Sequence, residues 1–590
     1  MLNLRYKFVL GVLLLVWALL LLKIFILTIK TNDYFERLAL RNMTKKEILV
    51  PTRGLIMDRN RELLAINQLG FSIALPPSLK KAQLQAQLAY LQHYFPDLNP
   101  TDALEEYQKQ NSRYNHNAIT ILEFIPYDQM QPLYAKLTQN PHIIINAANK
   151  RYYPNNALAA HVIGYLSAAN TQDLKENPKS QYTHTIGKTG LEKEYNDFLQ
   201  GEMGYKLMSV NALNQELEVL EKKEPQTNND LILSLDKRLQ HKADTLFSDK
   251  RGAIIVMDVH TGEILVAGSY PEYNLNEFIG GISVANWKNL QDDIYNPLLN
   301  RLINGLYPPG SVVKMGSALS FLEYLPITEK TSVFAPGYIE VGKRKFRDWK
   351  AGGHGETNLY KAIKESVDVY FYKFSLDISI DNLTKTFRQL GFGKKTGVDL
   401  PNEFVGILPD PSWKMKRFGT AWSVGDTLIT SIGQGSFLTT PLQVANYTAL
   451  LASGKLPVPH FSLKEHPKPQ DVLDHLQKSK LHFLRDGMYG ACSTPGGTAY
   501  KSTRGVKVAL ACKTGTAQVV GIDQNTQVRI KESQMEYFHR SHAWITAFLP
   551  YKNPQYAITI LVEHGEGGSK NGPILKEMAN ALLELGYIKP

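Results

Sequence analysis

The chain has 590 residues, of which 43% are hydrophobic and 21% charged, so it is long enough for several globular domains. The net charge is +11, but no segment interleaves a dense basic cluster with aromatic residues, which argues against nucleic-acid binding. Basic residues that face anionic lipid or an anionic cell-wall polymer fit this charge as well. The only cysteines are Cys492 and Cys512, which excludes CxxC metal sites and a disulfide framework; one bridge is possible, but two buried free thiols are expected.

The first long apolar segment, Phe8–Ile29, is long enough to cross a bilayer as a helix. Arg5 and Lys7 precede it and predict a cytoplasmic N-terminus. A cleaved signal peptide is the alternative, but its apolar region is usually shorter and ends in small residues, which are not evident here. The sequence therefore predicts a single uncleaved anchor, with the rest of the chain on the far side of the membrane.

The next segments predict a mixed region that ends at a polar boundary. Residues 50–70 alternate like two extended segments around a turn at Asp58–Asn60, and residues 78–140 show helical spacing. Residues 221–230 are polar and without a pattern. We therefore expect three parts: a stub and anchor at 1–30, a first domain, called the pedestal below, at 31–225, and a second domain at 226–590.

The last part predicts an α+β domain. A hairpin is expected at Gly252–Pro271 with its turn at Thr261–Gly262, followed by a mostly helical region at 355–450. Three apolar strands then surround a polar loop, at Gly505–Val520, Ala543–Pro550 and Tyr556–Gly565, and an amphipathic helix closes the chain. Strands at both ends of a helical middle indicate a sheet flanked by helices, with a helical lobe.

One SxxK triplet stands out as a candidate nucleophile and base. Ser311 and Lys314 follow a Pro-Pro-Gly break and open an apolar helical pattern, so they should lie one turn apart on one face. A serine hydroxyl needs a neighbouring base, and a buried lysine can act as one. The same triplet at Ser78 and Ser234 lies in a polar segment and in a predicted strand, where this geometry is lost.

Two further triplets complete a catalytic set. Lys-Thr-Gly occurs at Lys188, Lys395 and Lys513, but only the copy at Lys513 ends an apolar strand that can line a cleft. Ser366 and Asp368 form an SxD triplet in a predicted helical stretch. Each triplet alone is weak evidence, whereas the order SxxK, SxD, KTG with each in a suitable setting is hard to obtain by chance.

This order resembles the penicillin-recognising serine transpeptidases. Further segments, from about residue 50 to residue 565, are similar to class B penicillin-binding proteins and to their elongation branch, penicillin-binding protein 2. They are RGLIMDRN at Arg53–Asn60, RYYP and AAHVIGY within Arg151–Tyr165, GLEKEYNDFLQG at Gly190–Gly201, RDWKAGGHG at Arg347–Gly355, SIGQG with TTPLQVA at Ser431–Ala445, HAW at His542–Trp544 and VEHG at Val562–Gly565.

The resemblance implies a peptidoglycan D,D-transpeptidase that acts on D-Ala-D-Ala stem peptides during wall elongation and cell-shape maintenance, and that β-lactams acylate. It implies that Ser311 is the nucleophile, Lys314 the base and Ser366 a proton carrier. Three consecutive positions and Thr516 complete the expected site: Lys513 and Thr514 bind the substrate carboxylate, Gly515 lets the substrate backbone approach, and the backbone N–H groups of Ser311 and Thr516 form the oxyanion hole.

Two departures from the family pattern concern charge and metal. Asp368 replaces the asparagine of many relatives, as is usual in the elongation branch; it either holds Lys314 protonated or, as we expect, supports it through a hydrogen bond. Some elongation-branch members hold zinc near this site, but of that ligand set only Asp348 and His354 remain here. We therefore expect no metal or cofactor, and a hydrogen-bonded loop at these two residues.

The resemblance also implies partners and a compartment. A SEDS-type glycan polymerase and an elongation complex are expected to contact the pedestal and the anchor, with the catalytic domain in the periplasm and the helix in the inner membrane. The alternatives are a septal-type class B transpeptidase and a catalytically silent β-lactam sensor or scaffold. A sensor usually carries several spanning segments and a cytoplasmic effector, and the few residues before the anchor leave no room for them.

Overall fold

The computed structural model describes residues 2–26, 28, 43–112, 117–211, 216–226, 229–464, 466–520 and 531–589. Five sequence predictions therefore fall partly outside the described residues. They are the end of the membrane segment at 27 and 29, the boundary between anchor and pedestal at 30 and 31, the helical region at 113–116, the domain boundary at 227–228, and the first half of the polar loop, at 521–530.

The described helices fall into an isolated N-terminal helix, short pedestal helices and the longer helices of the catalytic domain. The α-helices are Leu2–Phe25, Lys81–Tyr94, Pro100–Gln110, Tyr127–Met130, Tyr134–Leu137, Ala160–Ile163, Thr171–Glu176, Ser180–Thr183, Gly190–Glu194, Asn196–Gln200, Lys237–Leu246, Val284–Asp292, Lys314–Tyr324, Leu359–Lys364, Asp368–Ser375, Ile380–Gln389, Pro411–Phe418, Val424–Ser431, Pro441–Ser453, His475–Ser493 and Gly572–Glu584. The 3₁₀ turns are Leu275–Phe278, Gly310–Val313, Glu532–Gln534, Tyr537–His539 and Gly568–Asn571.

The described strands form two pedestal sheets, one catalytic sheet and three two-stranded ribbons. They are β1 Thr44–Leu49, β2 Ile56–Met57, β3 Leu63–Leu75, β4 Ile119–Pro126, β5 Ile144–Tyr152, β6 Leu166–Ala168, β7 Thr185–Gly187, β8 Gly204–Val210, β9 Glu216–Lys223, β10 Leu231–Ile232, β11 Gly252–Asp258, β12 Ile264–Tyr270, β13 Val333–Ala335, β14 Tyr338–Val341, β15 Arg344–Arg347, β16 Gly355–Thr357, β17 Ala511–Ala517, β18 His542–Leu549 and β19 Tyr556–Val562.

The N-terminal helix has the length and composition of a membrane anchor. Its Asn3–Phe25 segment has a mean hydropathy of 2.8 and is fully exposed, and within the described ranges it alone is long and apolar enough to cross a bilayer. An exposed apolar surface of this length is stable in hydrocarbon but not in water. The helix fits the predicted single-pass anchor.

The pedestal is built on two sheets. The antiparallel strands β1, β8 and β9 form the first, and β10, β2, β3 and β4 form the second, with β5 also paired to β3. The helices Lys81–Tyr94 and Pro100–Gln110 bury their apolar faces against β3 and β4. The short strand β10 pairs in parallel with β2 and so carries the chain out of the pedestal into the catalytic domain.

The RGLIMDRN segment is part of a buried charge cluster. Arg53 Nη2 lies 2.7 Å from Glu192 Oε2, and Arg151 Nε donates to Glu192 Oε1 at 2.7 Å. Burial opposes ionisation of Glu192, but the charges of Arg151 and Arg53 outweigh it and lower the pKa of the carboxyl. Removing one partner of such a buried set leaves the other charges unpaired, so Arg53 stabilises the pedestal. A substitution of Arg53 is therefore a poor test of what the pedestal surface binds.

The catalytic domain is an antiparallel sheet covered on both faces. Its strand order is β12-β11-β19-β18-β17, and the predicted hairpin is confirmed as β11 and β12. Along β11, Ala253, Ile255 and Met257 face the core under the helical lobe, whereas Ile254 and Val256 face the helices Lys237–Leu246 and Gly572–Glu584. The α+β architecture predicted from the sequence is confirmed.

The two cysteines form a disulfide, and the expectation of free thiols was wrong. Cys492 lies at the end of the helix His475–Ser493 and Cys512 lies in β17, with their Cα atoms 5.7 Å apart. This separation is within the range that a disulfide spans without backbone movement. The helix packs along β17, a tertiary contact that local sequence patterns do not reveal.

Candidate active site

The candidate nucleophile lies in a tight turn before a buried helix. Gly310 adopts a left-handed backbone (φ 58°), and a 3₁₀ turn at Gly310–Val313 follows it. The α-helix therefore begins at Lys314, three residues later than the sequence predicted, because the Pro-Pro-Gly break favours a tighter first turn. Residues three apart eclipse in a 3₁₀ turn, so Ser311 and Lys314 still share one face.

The nucleophile turn packs against the KTG strand at backbone distance. A Cβ on Gly310 would lie 2.9 Å from the carbonyl oxygen of Thr516, and a Cβ on Gly515 would lie 3.0 Å from that of Pro309. Side chains at these positions would push the two segments apart. The two glycines therefore set the spacing between Ser311 and β17.

The loop that contains Gly433 and Gln434, called the glutamine loop below, also fixes the spacing between the nucleophile turn and β17. Gly310 N–H donates to the carbonyl of Gly433 at 2.8 Å. Gln434 Nε2 donates to the carbonyl of Thr516 at 2.7 Å, and Gln434 Oε1 accepts from the N–H of Gln518 at 3.3 Å. The SIGQG segment thus holds the nucleophile turn and β17 together, a role that sequence reasoning missed although it recognised the motif.

The candidate base is fully buried and held by the SxD triplet. Lys314 Nζ donates to Asp368 Oδ1 at 2.7 Å and to the Ser366 carbonyl at 2.9 Å. The second carboxylate oxygen of Asp368 accepts from the N–H of Trp349 at 3.2 Å. Asp368 therefore both pairs with Lys314 and anchors the neighbouring loop.

The hydroxyl of Ser366 lies between the two candidate lysines. Lys513 Nζ is 2.7 Å from Ser366 Oγ, and Lys314 Nζ is 3.5 Å from the same oxygen. Ser366 has φ 58° and precedes the helix that begins at Asp368, so the triplet forms a turn between helices and not the predicted helical stretch. The left-handed turn projects the Ser366 hydroxyl toward both amines and its carbonyl toward Lys314.

The electrostatics of Lys513 and Asp368 favour proton transfer at this site. Burial lowers the pKa of Lys513 well below its usual value, the charge of Lys314 lowers it further, and Asp368 opposes both. Burial also raises the pKa of Asp368, against the opposing charge of Lys314. Buried groups whose pKa values converge exchange protons at low cost, as acid–base catalysis requires.

The remaining predicted site residues follow along β17. Thr514 is buried and its Oγ1 donates to Thr498 Oγ1 at 2.8 Å, whereas Thr516 is half-buried. Thr516 and Gly515 face the nucleophile turn through the close contacts described above. The structure thus brings all eight predicted residues to one location: Ser311, Lys314, Ser366, Asp368, Lys513, Thr514, Gly515 and Thr516.

The competing triplets occupy other environments. Ser78 is exposed in the pedestal, and Ser234 Oγ is buried and donates to the carbonyl of Ile264 at 2.8 Å. Lys188 pairs with Asp173 in the pedestal, and Lys395 lies in an exposed loop of the catalytic domain. None of these residues contacts the described Lys314–Ser366–Lys513 group.

The zinc ligand set of some relatives does not fit this chain. His354 Nδ1 lies 2.8 Å from Glu365 Oε2 and its Nε2 lies 3.1 Å from Asp348 Oδ1, so both ring nitrogens already contact carboxylates. Burial opposes protonation of His354, but these two partners outweigh it and raise its pKa. Because both ring nitrogens of His354 already contact carboxylates, the loop is hydrogen-bonded as predicted.

A second buried ion pair supports the approach to Ser311. Arg301 binds both carboxylate oxygens of Glu563 at 3.0 Å, and Tyr307 Oη donates to Glu563 Oε1 at 2.5 Å. Trp544 Nε1 donates to the carbonyl of Pro308 at 3.0 Å. The VEHG and HAW segments, recognised in the sequence only as family signatures, therefore hold the residues that lead into the nucleophile turn.

Comparison with known proteins identifies the family. The family model for the penicillin binding protein transpeptidase domain matches residues 252–584, and that for the penicillin-binding protein dimerisation domain matches residues 48–233. The chain belongs to the class B penicillin-binding proteins of the PBP2 type. It is 33% identical over 574 residues to the peptidoglycan D,D-transpeptidase MrdA of Escherichia coli, covering 94% of this chain and 90% of that one.

Solved structures agree with this family assignment. The complex between PBP2 and MreC from Helicobacter pylori contains a chain with 63% identity and a TM-score of 0.88, covering 92% of this chain and all of that one. A peptidoglycan synthase complex, described for its structural coordination of polymerization and crosslinking, contains a chain with 25% identity and a TM-score of 0.72, covering 99% and 100%. The enzyme is an elongation-type D-Ala-D-Ala transpeptidase, and the septal and sensor alternatives are not favoured.

Proposed function

We propose that Ser311 carries the acyl group of the transpeptidation reaction. Its Oγ attacks the carbonyl carbon between the two D-alanines of a stem peptide, and its proton passes to Lys314. The peptide C–N bond then breaks, an ester forms on Ser311, and terminal D-alanine leaves as a neutral amine after receiving a proton. An amine of a second stem peptide attacks the ester, loses a proton, and restores the Ser311 hydroxyl.

The proton route is proposed to run through Ser366. Its hydroxyl oxygen lies within reach of both lysine amines, at 2.7 Å from Lys513 and 3.5 Å from Lys314. Ser366 can donate its own proton to the leaving amine and recover one from a lysine, which returns the group to its starting state. This bridging hydroxyl is the single observation that carries the assignment, because it joins the SxxK and KTG motifs into one acid–base unit.

The proposed oxyanion hole consists of the backbone N–H groups of Ser311 and Thr516. The close approach of Gly310 to the Thr516 backbone supports this pairing. Lys513, Thr514 and Thr516 are proposed to bind the substrate carboxylate, since they combine a cation with two hydroxyls beside the cleft. The donors are held by the glutamine loop before substrate arrives, which is the arrangement that stabilises developing charge most effectively.

Penicillin labelling of the purified full-length protein tests the nucleophile. Ser311→Ala should abolish the covalent adduct, because no other serine opens a buried helix beside a buried lysine in the described chain. Ser78→Ala, a matched SxxK serine in the pedestal, should label normally. A penicilloyl adduct mapped by mass spectrometry to any other serine would refute the assignment.

We further propose that the N-terminus is cytoplasmic and that the catalytic domain faces the periplasm of a cell with an inner membrane. The basic residues Arg5 and Lys7 before the anchor support this orientation. Externally added protease should digest the catalytic domain in spheroplasts. Protection of that domain in intact spheroplasts would contradict the orientation.

The pedestal and anchor are proposed to dock on a SEDS-type glycan polymerase within an elongation complex, with the domain division kept at residues 225 and 226. Similar chains occur in a complex with MreC and in a peptidoglycan synthase complex, which supports partner binding by this chain. β9 supplies a surface on this chain, because Leu217, Val219 and Leu220 are exposed on it. Leu217→Glu with Leu220→Glu should reduce co-purification of the polymerase and leave penicillin acylation intact; unchanged co-purification would refute this surface.

A further inference from the structure

We propose that Glu263, His460 and His466 form a zinc-binding site where the pedestal meets the catalytic domain. One ligand atom from each of these side chains lies within 4.8 Å of the other two. Glu263 immediately precedes β12, the second strand of the hairpin, and both histidines lie in a proline-rich segment much later in the chain. The three residues form no sequence motif, so only the fold reveals the cluster.

His460 is already arranged as a metal ligand. Its Nδ1 lies 2.9 Å from the carbonyl oxygen of Val458, and because a carbonyl can only accept, Nδ1 carries the hydrogen. In the neutral ring the lone pair is then on Nε2. His460 is 5% exposed, and its Nε2 is buried without a hydrogen-bond partner among the described residues.

An unpartnered buried nitrogen of this kind needs an explanation, because most buried polar atoms in proteins are satisfied. Histidines that bind metals commonly donate their other ring N–H to a backbone carbonyl, which fixes the tautomer. A cation at Nε2 would satisfy this buried atom, which has no hydrogen-bond partner among the described residues. This feature separates His460 from His354, whose two ring nitrogens contact Asp348 and Glu365.

The backbone holds Glu263 and His460 side by side. The two residues form a parallel β-bridge, in which the His460 N–H donates to Gly262 at 3.0 Å and the Ile264 N–H donates to His460 at 3.1 Å. A Cβ on Gly262 would lie only 2.3 Å from the carbonyl oxygen of Val458, so the two segments are as close as backbones permit. Two of the ligands are thus preorganised, and the exposed His466 completes the set.

The ligand types favour Zn²⁺. Two imidazole nitrogens and one carboxylate, with water in the fourth position, suit this ion, and at metal–ligand distances of about 2.0–2.2 Å the ligand atoms are about 3.3–3.6 Å apart. Rotation of the solvent-exposed His466 side chain can supply the remaining approach. Arg59 Nη2, at 3.3 Å from Glu263 Oε2, orients the carboxylate from the pedestal side.

The proposed ion would fasten the segment that connects the two domains. The Ser234 N–H donates to Phe461 at 2.7 Å, and the Leu463 N–H donates to Ile232 at 2.9 Å, so the histidine segment pairs with the chain that leaves the pedestal. Zn²⁺ would close the loop between His460 and His466 over this pairing. The site is separate from Ser311 and its expected effect is on the stability of the junction, not on acylation.

The test uses full-length protein in detergent, stripped with a chelator and titrated with Zn²⁺ by calorimetry and with Co²⁺ by visible absorption. We expect one ion per chain, tetrahedral Co²⁺ bands, and a higher Tm with Zn²⁺. His466→Ala and Glu263→Gln should each weaken binding by about tenfold or more, the scale of perturbing a metal site. His260→Ala is the matched control, since this exposed residue lies on the same hairpin turn outside the cluster.

Penicillin acylation at the wild-type rate verifies that each variant is folded. Because His466 is exposed, its substitution tests metal binding even if a substitution of the buried His460 disturbs folding. Absence of Zn²⁺ binding would overturn the proposal and leave the cluster as a solvated group of side chains. Equal affinity in His466→Ala and wild type would also overturn it. Loss of binding in His354→Ala, with His466→Ala unaffected, would move the ion to the catalytic loop and refute this site.

Discussion

Asp368→Asn tests whether the charge beside Lys314 sets the pH range of acylation. The carboxylate lies 2.7 Å from Lys314 Nζ, and its side chain is 15% exposed. Its charge raises the pKa of Lys513 against the effects of burial and of the Lys314 charge. Asparagine keeps an oxygen acceptor at this position and removes only the charge.

An opposite charge at this separation typically shifts a neighbouring titration by about 1–3 pH units, or about 1.4–4 kcal/mol. Removing the negative charge removes the contribution that raises the pKa of Lys513, so the neutral Lys513 amine, which exchanges protons with Ser366 in the proposed route, is available at lower pH. The acidic limb of the acylation profile should therefore move down by about one to two pH units. The assay is the second-order rate of labelling by a fluorescent penicillin between pH 4 and 9.

Asp377→Asn serves as the control, because Asp377 is an exposed aspartate just past the same helix. It should leave the profile unchanged. An acidic limb that stays in place or moves to higher pH in Asp368→Asn would refute the argument. Such a result would mean that Asp368 acts only as a hydrogen-bonding support for the loop at Trp349.

Three other substitutions test separate contacts. Lys513→Ala should slow penicillin acylation by about two orders of magnitude, the scale of losing an electrostatic donor, whereas Lys395→Ala should change it little; the opposite ranking would overturn the strand assignment. Gln434→Ala should slow acylation without unfolding the protein, because it removes the hydrogen bond from Gln434 to the Thr516 carbonyl. An unaltered acylation rate at wild-type Tm would show that this hydrogen bond is dispensable. Burial and the charge of Arg301 lower the pKa of His161 to about 3, so the folded protein keeps this ring neutral while the unfolded chain protonates near pH 6.5. The free energy of unfolding therefore decreases as the pH falls from about 6.5 toward 3, by about 1.4 kcal/mol per pH unit. Between pH 7 and 5 the Tm of His161→Gln should fall less than that of the wild type. Equal falls in Tm for the two proteins would contradict this.

Local patterns in the sequence were sufficient for the elements that carry the chemistry. Alternation predicted the β11–β12 hairpin, and the Pro-Pro-Gly break placed Ser311 at the start of a buried helix, with the α-helical onset shifted to Lys314 by the 3₁₀ turn. The strand containing Lys513 was predicted as 505–520 but pairs only at Ala511–Ala517. The apolar segment is longer than the part that pairs with the neighbouring strand, so the apolar pattern overestimates the length of the strand.

Contacts between distant segments could not be predicted in this way. Nothing local indicates that Gln434 reaches Thr516, that Arg53 is buried against Glu192, or that Ser366 takes a left-handed backbone. Each depends on how whole elements pack. The helical pattern around Ser366 is real on both sides, but the turn between the two helices exists because its carbonyl and hydroxyl meet buried amines.

The Cys492–Cys512 bond links catalytic maturation to a cellular compartment. Cys512 is the residue before Lys513, so the strand that carries the proposed catalytic lysine is covalently tied to the helix beside it. Disulfides form and persist in oxidising compartments and are rare in the cytosol. In an oxidising compartment the bond would hold this strand against the helix, whereas in a reducing one both thiols would stay reduced and the strand would lack this tether.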